Sequence, residues 1–75
     1  MNSANFIKAA RGATLITQGD TNWISIDFRF KVWKPANGVF VLCDTGDENE
    51  IRILNDFLSV QETIDKIIIN EFEEM

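Results

Sequence analysis

WISIDFRFKVWKPANGVFVLCD, residues 23–44, is the stretch on which the reading of this chain turns. Ile24, Ile26, Phe28, Phe30 and Val32 alternate with Trp23, Ser25, Asp27, Arg29, Lys31 and Trp33. That period of two marks a strand with one buried face and one wet face. Its β-branched and aromatic residues suit a half-buried pleated surface. Pro35-Ala36-Asn37-Gly38 follows. Pro35 fits the first corner of a turn, and Asn37 or Gly38 takes positive φ at small cost. Val39 to Cys43 is a second apolar run, so the stretch predicts a β-hairpin closed by an Asn-Gly loop. A slip of one residue exchanges the buried face of Val39–Cys43, and both registers stay open. A lone hairpin is only marginally stable, so the flanks must cover its Ile/Phe face.

Upstream, Ser3 to Arg11 reads as a short helix capped by Ser3, with Phe6, Ile7 and Ala10 at helical spacing and Gly12 as its stop. Ala13 to Gln18 reads as a short strand. Gln18-Gly19-Asp20-Thr21 is a turn that leads into one long strand from Asn22 to Trp33. Trp23, Trp33 and Phe40 fall off the main apolar face, where they cover a sheet edge, pack under the first helix, or anchor a partner.

Downstream, Glu50-Ile51-Arg52-Ile53 alternates as a strand does, while Ile51, Leu54, Phe57 and Leu58 have helical spacing. Thr45 with Glu48 three residues on makes a capping box, which favours a helix from about Asp47 to Phe57. Ser59 with Glu62 makes another, opening a helix striped by Val60, Ile64, Ile67, Ile68 and Phe72 that runs to Glu74. The expected fold is α+β, a single domain over residues 1–75. Its order is α-β-β-β-α-α, with a three-stranded antiparallel sheet packed by helices.

Composition narrows the function. A chain of 75 residues buries only about 60% of its unfolded surface and leaves little room for a deep cleft. There is no His, which removes the usual residue for neutral acid–base work and for metal ligation. The one cysteine, Cys43, reads as a small buried hydrophobe rather than half of a bridge. With no disulfide framework, no signal-peptide pattern and no apolar run near the roughly 18 residues that span a bilayer, a cytoplasmic location is expected, with no membrane contact. The net charge of −5 is unevenly spread. Residues 1–43 carry five Lys/Arg against two Asp, a net +3, whereas residues 44–75 carry two against ten carboxylates, a net −8. That balance speaks against direct nucleic-acid binding and for a basic partner. The same charge also serves as a solubilising surface.

Asp44-Thr45-Gly46 after a strand looks like the active-site triplet of retroviral-type aspartic proteases, which pair two such aspartates. The glycine-containing strand of that family has no counterpart in Ile67-Ile68-Ile69-Asn70-Glu71, so a turn is the preferred reading. Asp44, Asp47, Glu48 and Glu50 do not make a calcium loop, because Gly46 stands third and Asn55 occupies the twelfth place. No cofactor and no metal are expected.

The layout as a whole resembles the small acidic prophage-encoded anti-CRISPR inhibitors of Cas9 that imitate DNA. The points of likeness are Met1-Asn2 with Phe6-Ile7-Lys8, the turn Gln18-Gly19-Asp20-Thr21, the tip Asn37-Gly38, the acidic Asp47-Glu48-Asn49-Glu50, Phe57-Leu58, and the terminal Glu71-Phe72-Glu73-Glu74. The resemblance implies a non-enzymatic inhibitor that occupies the nucleic-acid site of a Cas effector. Asp47, Glu48, Glu50, Glu71, Glu73 and Glu74 would be its DNA-like carboxylates, and Asn37 and Gly38 would form the tip that probes the nuclease. Trp33, Lys34 and Pro35 stand beside that tip where the family is acidic. The alternative is an immunity- or antitoxin-like module that caps a basic toxin or another nucleic-acid enzyme. Stoichiometry and oligomeric state are not readable from the residues.

Overall fold

The computed structural model describes residues 3–73. They run α1 (Ser3–Gly12), β1 (Leu15–Gly19), β2 (Asn22–Ser25), β3 (Phe30–Ala36), β4 (Val39–Asp44), β5 (Glu50–Leu54) and α2 (Phe57–Glu73). The strands form one antiparallel sheet in the order β1-β2-β3-β4-β5. The expected three-stranded sheet with three helices is therefore corrected to five strands and two helices. Phe6, Ala9 and Ala13 from the α1 side and Val60, Ile64 and Ile68 of α2 cover one face of the sheet, against Phe30, Val32, Phe40 and Leu42. Ile7, expected in the α1 stripe, is exposed. The Ser3 cap and the Met1-Asn2 likeness lie outside the described side chains.

The first correction is that the strand expected over Asn22–Trp33 is two strands. Asp27 breaks it. Its Oδ1 accepts the Ser25 hydroxyl at 2.6 Å and the Arg29 N–H at 3.0 Å. The Ser25 Oγ in turn accepts the Phe30 N–H at 2.9 Å. The chain turns back through Phe28 at φ 64°, a conformation rare for a bulky residue. The turn changes which residues face inward. Trp23 pairs with Val32, so β2 turns its odd-numbered residues to the core and β3 its even-numbered ones. Ile26 and Phe28, expected in the core, are 53% and 68% exposed. Trp23 and Phe40, expected off the main face, stack with Phe57 at centroid distances of 5.1–6.1 Å on the core side.

The second correction is β5. Glu48 and Asn49 take φ of 54° and 60°, which no α-helix continues through. Glu50 N–H returns to Asp47 O at 3.0 Å, closing a turn of the primed kind that suits a hairpin. The strand that follows pairs Phe40 with Leu54 and Cys43 with Ile51. It thereby covers the outer edge of β4, which is buried along nearly its whole length. Asp56 begins α2 by accepting the Ser59 N–H at 2.6 Å, three residues before the expected cap at Ser59.

Candidate functional site

At one end of the sheet the β2–β3 turn, the β4–β5 turn and the last turn of α2 meet. Thr45 ties the first two together, its N–H and hydroxyl donating to Arg29 O at 2.9 and 2.7 Å. The Arg29 guanidinium then divides itself between two carboxylates. Nε and Nη2 reach the two oxygens of Asp44 at 2.9 and 3.1 Å. Nη1 and Nη2 reach those of Glu71 at 2.6 and 2.8 Å. These hydrogen bonds, Glu71 first and Asp44 second, hold the guanidinium above its ordinary pKa.

Asp44 also accepts the Gly46 N–H at 3.0 Å and is only 1% exposed. A Cβ on Gly46 would stand 2.7 Å from Arg29 Nε and push it off the carboxylate. The Asp44-Thr45-Gly46 triplet thus builds a buckle in which both Asp44 oxygens are engaged, Oδ1 by Arg29 and Gly46 and Oδ2 by Arg29. Among the described residues no three His, Cys, Asp or Glu side chains group to hold a metal. No described helix is long and apolar enough to cross a membrane.

Asp47 lines the same shallow depression as Arg29, Asp44 and Glu71. Glu48 and Glu50 stand exposed on the turn beside it, Glu50 within 3.5 Å of Arg52 Nη2. Glu73 is exposed at the end of α2, and Glu74 lies outside the described residues. Residues 47–50 and 71–73 are thus gathered at one end. Asn37 and Gly38, with Gly38 at φ 73°, form the tip of β3–β4 at the opposite end and are not brought to the carboxylates. Arg29, which sequence reasoning passed over, sits at the centre of the acidic end. Its only signal was a cation followed by a run of carboxylates far along the chain.

The other face of the sheet carries a second feature that the sequence reading missed. Ile16, Ile24, Lys31, Cys43 and Ile51 form a row straight across all five strands. Asn22, Trp33, Val41 and Ile53 form the next row. No described helix lies over these rows, and Ile16, Trp33, Ile51 and Ile53 are exposed. The alternation of Ile51 with Ile53 was the legible sign of it.

Compared with known protein families, curated proteins and solved structures, the chain matches none. The helix expected from about Asp47 to Phe57, which carried part of the likeness to anti-CRISPR inhibitors, is absent: Asp47 and Glu48 lie on the β4–β5 turn and Glu50 opens β5.

Proposed function

We propose that this chain is a non-catalytic binding protein whose acidic end engages a basic surface of another protein, of the kind that holds nucleic-acid phosphates. The observation that carries this reading is the gathering of residues 47–50 and 71–73 around an arginine already bound to two carboxylates. Asp47, Glu48 and Glu73 are left to face a partner, and Glu50, paired with Arg52, stands beside them. They stand on a closed turn and a helix end, so little ordering cost accompanies binding. The C-terminal end of α2 adds the negative pole of its dipole. A focused field of this sign speeds encounter with a basic protein. A Cas effector, as the resemblance implies, and a basic toxin are both members of that partner class.

The test is capture from a bacterial lysate with the wild type and with a variant carrying Asp47→Lys, Glu48→Lys and Glu73→Lys. Glu71 is left alone because it holds Arg29. The wild type should retain a basic nucleic-acid-binding protein that elutes with salt and no longer shifts its DNA or RNA on a gel. The variant should lose it. Capture of the same protein by both would remove the acidic end from recognition.

A further inference from the structure

We infer that the open face of the sheet is the contact between two copies of this chain, stacked face to face with their strands antiparallel. The apolar character of the face comes first. Across its two rows the only charged side chain is Lys31, on the central strand β3. Contiguous apolar patches larger than a few hundred Å² are rare on monomers. Five strands at about 4.8 Å spacing and five residues at about 3.4 Å rise make a face of about 24 by 17 Å. That is about 400 Å² per partner, half of what a standard interface takes, and it suits a weak, concentration-dependent contact.

The charges then select the arrangement. In aligned packing, where stacked sheets keep their strand directions within about 30° of each other, a two-fold axis in the interface lies either along the strands or across them. An axis along the strands puts Lys31 over Lys31 and brings the two acidic turns side by side. An axis across the strands, between the two rows, lays the row of Lys31 over the row of Trp33. Lys31 of each copy then meets the indole of Trp33 in the other, a favourable cation–π contact. Ile51 meets Ile53, and Cys43 meets Val41. The acidic turns point to opposite ends of the pair. Of these two arrangements only the second is self-complementary, and it leaves Asp47, Glu48 and Glu50 uncovered.

Sedimentation equilibrium over micromolar to millimolar concentrations tests it. The wild type should rise to twice the mass of one chain. Ile53→Glu should stay a monomer, and Lys31→Glu should weaken association at least tenfold while Lys31→Arg preserves it. Ile53 is 67% exposed, so these variants keep the fold, which circular dichroism checks. A mass of one chain at every concentration overturns the inference. So does a dimer that Lys31→Glu leaves intact, which would place the contact elsewhere, such as the exposed edge of β5.

Discussion

Arg29 and Asp44, fifteen residues apart, are joined by two parallel hydrogen bonds of 2.9 and 3.1 Å, although Asp44 lies at the floor of the fold and Arg29 at its rim. Removing one partner leaves a buried carboxylate without its counter-charge, which costs about 3–5 kcal/mol. Arg29→Gln should therefore shift the urea midpoint far downward. Arg29→Lys should recover only part of the loss, because an ammonium cannot reproduce the planar fork. Arg29→Met with Asp44→Leu should recover more of it, since no charge is then stranded. A urea midpoint for Arg29→Gln equal to wild type would show that the pair does not matter.

Phe30 and Phe28 stand two residues apart and should respond oppositely to truncation. Phe30 is fully buried, and Phe30→Ala should cost about 3–5 kcal/mol, enough to unfold a domain of this size. Phe28 is exposed, and Phe28→Ala should change stability by less than about 0.5 kcal/mol. Thermal unfolding of the two variants side by side checks the turn at Asp27. Equal losses would restore the unbroken strand.

Glu48 holds a left-handed conformation that costs an L-residue about 1–2 kcal/mol. Glycine adopts it freely but loses more entropy on folding. Glu48→Gly should stabilise the fold by a net of about 0.5–1 kcal/mol, read as a higher melting temperature. A lower one would mean that the β4–β5 turn has another shape.

Asp56 caps α2, and hydrogen bonds from the Ser59 backbone N–H and then its hydroxyl hold its carboxyl below the ordinary value of 3.8. A depressed folded-state value stabilises the protein wherever the unfolded group would already be ionised. The contribution is complete above about pH 4 to 5 and vanishes as the pH falls through the depressed value. Asp56→Ala should therefore lower helicity at neutral pH and flatten the fall in stability as the pH drops below the ordinary carboxylate range. An acid profile identical to wild type would exclude the cap.

The hairpin of β3 and β4, the short β1, α1 and most of α2 were legible because each carries its own period and its own turn residues. The break at residues 26–29 was not. The turn holds an even number of residues, so the sequence alternation passes through it in step while the inward face changes from odd to even. Asp27, a poor strand former, was the one discordant residue. β5 was hidden for a different reason. Leu54 and Phe57 do pack on the core at helical spacing, but one closes a strand and the other opens a helix. The acidic site was legible in charge and not in place. Only the fold shows that Glu71 is bound to Arg29 and that Asn37-Gly38 stands at the far end.

Each strand pairs only with strands next to it in the chain, and the connections between them are two to five residues long. Assembly of the sheet therefore needs no distant search. Each hairpin closes a short loop at small entropic cost, and one closed hairpin templates the next. The long reach comes last, when Phe6 of α1 meets Phe72 of α2 edge to face at 5.6 Å. The chain should fold fast for a β-rich protein, in a single exponential phase by stopped-flow fluorescence of Trp23 and Trp33. Phe72→Ala should act almost wholly by hastening unfolding, since the clasp between the two helices forms after the rate-limiting barrier.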